Sequence, residues 1–358
     1  MLFVECKGTP YEIGFQHGEA AKVQIDRCIA FYTKLFLKNC KIEWPQVLQH
    51  ASKFEQQAKS KWPAYHEEIQ GIADGAGKQL LDIIAINVRT EINFGLFSDG
   101  CTALSWQTEK RSWHGQNWDV SSQSPTILPH DADLYQWMTE QKQNLIITKI
   151  TQADKPAIIQ VTEAGIIGKI GFNSAGVGTL FNAIRVHGAD SKRLPAHFGL
   201  RMALESTSVA DAVQKLEGYG MASSAHILVG DPSTSLGLEF TKSTFAHCEP
   251  DSAGRVVHSN HLLKEHPGET DTVWLKDSLT RLPTMTTNAD SLGAEPSWEE
   301  VSKLFEDVQN SPGSICRTET KETGSATLFN IVMDLKSKRA VVRLGRPTEV
   351  EETVELQL

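Results

Sequence analysis

The chain changes character at one place, Asp99-Gly100-Cys101. Ahead of it, apolar residues recur every three or four positions, the mark of helices with one buried face. Behind it, they alternate or run together in short β-branched and aromatic stretches, the mark of strands. A run of helices followed by runs of strands with helices between them predicts an α+β protein whose sheets are covered by helices. No linker-like stretch follows the helical part, so the switch falls inside one domain. A chain of 358 residues is long enough for one large core.

Local signals place the elements. Thr9 can cap a helix, Pro10 suits its first turn and Glu12 can return a hydrogen bond. Helical spacing continues through Ile29, Phe31, Leu35 and Phe36. Further helices are expected over 44–61, from Pro63 to a Gly71–Gly77 stretch that should weaken and end it, and over 80–94. Strands are expected over 101–106, 144–150, 157–161, 168–172, 177–184, 225–229, 237–241 and 255–259, with a turn at 173–176. Helices are expected over 196–217, 272–282 and 297–308. A closing hairpin of 326–334 and 339–344 should turn at Lys336-Ser337-Lys338.

Composition narrows the function classes. The formal net charge is −9 and no basic run occurs, which argues against a nucleic-acid binder. No stretch approaches the ~18 apolar residues of a membrane span. The opening "MLFVECKGTP" lacks the basic-then-apolar order of a secretory leader. Cys6, Cys28, Cys40, Cys101, Cys248 and Cys316 are scattered without a CxxC pair. They read as thiols of a reducing compartment rather than as disulfides or zinc ligands. No glycine loop of the phosphate-cradling kind is present, so no bound cofactor is expected.

Cys101 invites a chemical reading. It follows a turn-forming Asp-Gly pair and opens a strand pattern. A thiolate there lies next to the Gly100 carbonyl, and attack would give a thioester by an N-to-S acyl shift. Water would then part residues 1–100 from 101–358. Gly100 lacks a Cβ and can leave its carbonyl open. Asp99 is placed to orient the attacking group or a water. The cut would free an α-amine on Cys101 with a reference pKa of ~7.7–8.0, against ~8.5 for the thiol. Nucleophile and base would then sit on one residue. The same three residues also read as an ordinary turn and a small buried cysteine, and so short a motif does not separate the two readings.

Longer motifs occur in order: "GTPYEIGFQHG", "DGCTALSW", "GQNWD", "TEAGIIGKIGFNSAGV", "LRMALESTS", "VHSNH", "SICR", "ATLFNIVMD" and "VRLGRPT". Together they resemble the fungal acyl-coenzyme A:6-aminopenicillanic-acid acyltransferase (isopenicillin N acyltransferase) family of N-terminal-nucleophile hydrolases, over nearly the whole chain. The resemblance implies a four-layer αββα sandwich matured by autocatalytic cleavage before a cysteine. It implies a helical segment 1–100 and a nucleophile-bearing segment 101–358 within that one domain, held together as a heterodimer after the cut.

Residue by residue, Cys101 matches the family's nucleophile and Gly100 the residue before the cut. Asp119 matches an aspartate serving processing and catalysis. Asn260 matches the asparagine whose side chain helps form the oxyanion hole, and Arg317 an arginine supporting the nucleophile. An amide aimed at developing negative charge is a large catalytic contribution, and a guanidinium beside a thiol lowers its pKa. Ser224 and Ser314 match family serines and read as buried structural hydroxyls. Asn182 offers either a second oxyanion donor or a turn asparagine. His258 and His261 flank Asn260, but two histidines without a third ligand make a poor zinc site, so no metal is expected.

The resemblance implies an acyltransferase acting on isopenicillin N, 6-aminopenicillanic acid and acyl-coenzyme A, the last as co-substrate. An amidase or N-acyl amino acid hydrolase on the same scaffold is the alternative, and a non-catalytic uncut relative the third. Peroxisomal members end in a small-basic-Leu tripeptide, whereas Leu356-Gln357-Leu358 does not fit it, so a cytoplasmic protein is expected.

Overall fold

The computed structural model describes residues 1–93, 99–121, 140–318 and 325–358, with the side chains of Asp99 and Ser121 set aside. A first strand, β1 (Leu2–Lys7), leads into helices α1 (Pro10–Ala20), α2 (Lys22–Cys40), α3 (Trp44–Lys61), α4 (Pro63–Ala76), α5 (Leu80–Asn87) and α6 (Arg89–Ile92). Thr9 caps α1 in a full capping box with Glu12, as its sequence predicts.

The glycines of α4 have a different use from the one expected. A Cβ on Gly71 would lie 2.2 Å from the Tyr11 carbonyl oxygen, and one on Gly14 would lie 1.9 Å from that of Glu68. Gly71 therefore does not weaken the helix; it lets the α1 and α4 backbones touch. The helix ends at left-handed Gly77, the last residue of the stretch expected to end it. The helix expected over 80–94 is two, broken at Val88, and Phe94 lies outside the described residues.

The strands that follow are β2 (Asp99–Gln107), β3 (Ser112–Ser121), β4 (Leu145–Thr151), β5 (Ile158–Glu163), β6 (Ile170–Asn173) and β7 (Gly178–Ala183). After helices α7 (Ala196–Leu204) and α8 (Val209–Tyr219) come β8 (Ala225–Gly230), β9 (Ser235–Phe240), β10 (Phe245–Cys248) and β11 (Arg255–His258). Helices α9 (Ser278–Asp290) and α10 (Trp298–Leu304) precede β12 (Ser325–Asp334), β13 (Arg339–Arg346) and β14 (Glu349–Gln357). The single helix expected over 196–217 is also two, because Ser208 turns out to extended backbone and caps α8 from its side chain.

Two sheets form, ordered β1-β4-β5-β6-β7-β8-β9-β10 and β11-β2-β3-β12-β13-β14. Strand β8 shows how they stack. Ile227 and Val229 join the core shared with the N-terminal helices, while Leu228 joins the core between the sheets, among Cys101, Leu180 and Phe329. On the far side of the second sheet, Leu104, Trp106 and Trp113 pack on Met285 and Ala289 of α9 and Val301 of α10. The layers are helix, sheet, sheet, helix: the αββα sandwich. Because β8 is covered on both faces, its sequence reads as a continuous apolar run.

The Asp99-Gly100 pair is not a turn. Both residues lie in β2, with Asp99 opposite Val120 and Gly100 opposite Asp119. Strand pairing with β3 supplies hydrogen-bond partners that a turn would otherwise provide locally, so the tertiary contact overrides the dipeptide's preference. Strand β2 runs through both Gly100 and Cys101.

Candidate active site

The sheet register assembles the first part of the site. Gly100 stands opposite Asp119 and Cys101 opposite Trp118. On the other side of β3, Asp119 faces Thr327, where an extra residue in β12 shifts the register before Phe329. That bulge aims Thr327 at its neighbour: its Oγ1 donates to Asp119 Oδ1 at 2.7 Å and accepts from the Arg317 amide at 3.0 Å. Gly100 fits tightly here. A Cβ on it would lie 3.0 Å from Arg317 Nη1 and 3.2 Å from Asp119 Oδ2.

The second part closes over Cys101, whose side chain is buried at 1% exposure in the core between the sheets. Its backbone N–H donates to Asn260 Oδ1 at 2.8 Å. The orientation of that amide is fixed by its other bonds, since Oδ1 also accepts from Arg281 Nη2 at 2.8 Å and Nδ2 donates to the Ala183 carbonyl at 2.9 Å. In the uncut chain Asn260 thus presents an acceptor to Cys101, and its donor is turned to the backbone of β7. The oxyanion-hole role implied by the resemblance calls for that donor to face the reacting carbonyl instead.

Arg281, on α9, is the residue that sequence reading missed. Its Nη1 donates to the Cys101 carbonyl at 2.6 Å and to Thr102 Oγ1 at 2.9 Å, besides the bond from Nη2 to Asn260. The stretch "TRLPTM" around it reads as the end of the helix expected over 272–282, whereas α9 runs through Pro283 to Asp290. No local pattern marks an arginine whose partners at Cys101 and Thr102 lie about 180 residues away.

Charges alternate around the Gly100–Cys101 peptide bond. Arg281 lies 3.3 Å from Asp277 Oδ1, Asp277 Oδ2 contacts Arg317 Nη2, and Arg317 Nε lies 3.9 Å from Asp119 Oδ2. Arg317 also donates to Ser325 Oγ at 2.6 Å. Burial pulls the pKa of both arginines down, and Asp119 and Cys101 act in the opposite sense.

Asn182 reaches the same carbonyl more weakly, with Nδ2 3.4 Å from the Cys101 oxygen. Its Oδ1 meets His226 Nδ1 at 3.0 Å, and the His226 and His258 rings stack with centroids 3.6 Å apart. His258 Nε2 bonds Glu239 Oε1 at 2.8 Å. Burial raises the Glu239 carboxyl, but His258 and the Leu263 and Lys264 amides outweigh it and hold its pKa below the usual value. Among the described residues, Glu239, Cys248 and His258 bring metal-type donor atoms within 4.8 Å of one another; in this structure Glu239 and His258 hydrogen-bond directly. His261 turns away to Ser278 Oγ at 2.7 Å.

The two serines stand apart from this cluster. Ser224 Oγ bonds the carbonyls of Ile184 and Val186, and Ser314 Oγ bonds that of Cys316. Asp99, expected to help the attack, has its side chain outside the described residues. No helix among the described residues is long and apolar enough to cross a membrane.

Comparison with known proteins bears on this arrangement. Residues 106–349 match the family model described as acyl-coenzyme A:6-aminopenicillanic acid acyl-transferase. The acyl-coenzyme A:6-aminopenicillanic-acid-acyltransferase 40 kDa form of Emericella nidulans is 43% identical over 359 residues, covering 99% of this chain and 95% of that one. Among solved structures, a conjugated bile acid hydrolase of Clostridium perfringens aligns over 72% of this chain and 92% of its own at 12% identity and a TM-score of 0.46. The penicillin V acylase of Agrobacterium tumefaciens aligns over 72% and 86%, at 13% identity and a TM-score of 0.46. At that distance these two bear on no residue of the site.

Proposed function

This chain belongs to the acyl-coenzyme A:6-aminopenicillanic acid acyltransferase family and is an enzyme, and we propose that it works through Cys101 after cutting itself between Gly100 and Cys101. The observation that supports this reading best is the convergence on one peptide bond. Asp119 and Arg317 flank Gly100, while Asn260 holds the Cys101 N–H.

Maturation balances without a cofactor. The Cys101 Sγ attacks the Gly100 carbonyl carbon, the C–N bond to Cys101 breaks, and the thiol proton ends on the freed amine. Water then adds to the thioester, giving a carboxylate on Gly100 and returning the thiol. The fragments 1–100 and 101–358 should stay together. Strand β1 of the first pairs with β4 of the second along its length, and the first fragment's helices share a core with β7 and β8.

In turnover the Cys101 amine takes the thiol proton. The sulfur attacks the side-chain amide of isopenicillin N or the thioester of an acyl-coenzyme A. The 6-aminopenicillanic acid or coenzyme A leaves with the proton, and the acyl group rests on sulfur. The amine of 6-aminopenicillanic acid then takes the acyl group, regenerating the thiol. Acyl-coenzyme A is on this reading a co-substrate. The six thiols suit a reducing compartment, and we take the enzyme to act in the cytosol; a tagged copy inside peroxisomes would contradict that.

The test is mass spectrometry of the purified chain before and after incubation, paired with an assay on phenylacetyl-coenzyme A and 6-aminopenicillanic acid. Two fragments split at Gly100 and an acylated product are expected. Free acid alone, even at high 6-aminopenicillanic acid, would replace transfer by hydrolysis. An active chain still joined at residue 101 would remove the mechanism.

A further inference from the structure

Four polar groups around Cys101 share one organiser. Arg281 donates to the Cys101 carbonyl, to Thr102 Oγ1 and to Asn260 Oδ1, the oxygen that also accepts the Cys101 N–H. It is 1% exposed, and it enters from α9, the helix layer on the far side of the strand that carries the cut. Its own counter-charge, Asp277, is the residue that also contacts Arg317.

We propose that Arg281 is a positioning residue for both cleavage and turnover. Its planar fork locks the Cys101 carbonyl and the Asn260 side chain, so that the Cys101 nitrogen keeps one fixed place before and after the cut. The inference rests on the reading of Cys101 as the cut nucleophile.

The geometry has a second consequence. Arg281 and the Cys101 nitrogen bond the same oxygen, so the freed amine would lie within one hydrogen-bonded bridge of a guanidinium. A cation that close disfavours the ammonium form and keeps the amine available as a base at lower pH. Among the described residues, the other charged or titratable groups facing this point include Asp119 from β3, Arg317 ahead of β12, Asp277 at the start of α9, His258 at the end of β11, His261 just beyond it and, through Asn182, His226 of β8. Asp119 and Asp277 oppose Arg281; Arg317 acts with it.

Two substitutions separate fork from charge. Arg281→Lys keeps the charge but loses the planar two-armed grip; Arg281→Met loses both. In full-length chains, conversion to fragments is followed by denaturing electrophoresis, and kcat/KM of the matured fraction is measured against pH. Both variants should mature at least about tenfold more slowly than the unsubstituted chain. The acid limb of the pH profile should stay in place for Arg281→Lys and move up by roughly one pH unit for Arg281→Met.

Wild-type maturation rates and an unmoved acid limb in both variants would overturn the proposal. So would slow maturation of both with no difference between their acid limbs, since a merely structural arginine would do that. If Arg281→Met does not fold, Arg281→Gln takes its place as the neutral variant, and the same two outcomes support or overturn the proposal. An unsubstituted chain that is active while uncut overturns this inference together with the reading it rests on. A normal cut with indifferent Arg281 variants overturns this inference only.

Discussion

Arg201 and Arg281 are both buried, both sit on helices and both make several hydrogen bonds, yet their bonds end on different kinds of group. Arg201, on α7, sends Nη1 to Glu68 of α4 at 2.8 Å and Nε to Glu205 at 2.9 Å. Burial pulls its pKa down, but the two carboxylates more than offset that and leave it raised. Its charge is neutralised where it stands, and it clasps one helix to another. The donors of Arg281 end mainly on neutral groups, the Cys101 carbonyl, Thr102 and Asn260, and its pKa is lowered. A buried cation is therefore not by itself a sign of chemistry. What matters is whether its field ends on a carboxylate or on atoms next to a reactive bond.

The strongest test of this contrast removes the reactive atom. Cys101→Ala should abolish fragment formation and acyl transfer altogether, while its melting temperature stays near that of the parent chain. Electrophoresis and calorimetry together check it. A large drop in stability would mean that the second cluster, too, is built for folding.

Arg201→Met is the mirror image. Removing one member of a buried ion pair typically costs about 3–5 kcal/mol, because the carboxylates left behind are buried without it. Denaturant unfolding should show that loss, while activity per folded, matured molecule is unchanged. Reduced kcat in the folded fraction would erase the distinction between the two arginines.

A third test uses pH. His17, on α1, accepts the Gly165 N–H at 3.0 Å through Nε2, so its ring must be neutral. Burial, with Arg201 nearby, lowers its pKa to about 4. A histidine depressed in the folded state gives stability that is complete above its ordinary pKa near 6.5 and is lost as pH falls toward 4. The loss approaches about 1.4 kcal/mol per pH unit in that window. His17→Gln should flatten the fall in unfolding free energy there. An unchanged slope would move the acid sensitivity elsewhere.

The smallest effect concerns Gly100→Ala. The added Cβ would press on Arg317 Nη1 at 3.0 Å and Asp119 Oδ2 at 3.2 Å, tight contacts with side-chain ends that can give a little. Cleavage should slow by roughly tenfold or less, equivalent to at most about 1.4 kcal/mol, with stability almost unchanged. Cleavage at the parent rate would show that the glycine's fit does not matter to the cut.

Part of the fold was legible because its signals are local. The Thr9–Glu12 capping box, Pro63 opening α4 and the apolar run of β12 each need only neighbours in sequence. Strand β3 was missed because Gly115, Gln116 and Asn117 have poor strand propensity; they are buried and stabilised by cross-chain bonds such as Gln116 Oε1 with the Phe181 amide at 2.9 Å. Strands β1, β10 and β14 were missed for a related reason. Charged β14, "EVEETVELQ", is an edge strand that holds its place by pairing with β13. At the site, contiguous motifs marked Gly100, Cys101, Asp119, Asn260 and Arg317, and the fold brings those five together. Ser224 and Ser314 it leaves outside.

By itself the sequence determined where helix gives way to strand, which cysteine stands at that boundary and which family the motifs belong to, because periodicity and contiguous motifs are properties of neighbouring residues. Only the tertiary structure decided that Asp99-Gly100 is strand rather than turn, which atom of Asn260 faces Cys101, and that Arg281 and Asp277 belong to the site. Those outcomes depend on groups far apart in the chain competing for the same few hydrogen bonds in a space without water, and no local pattern records who wins.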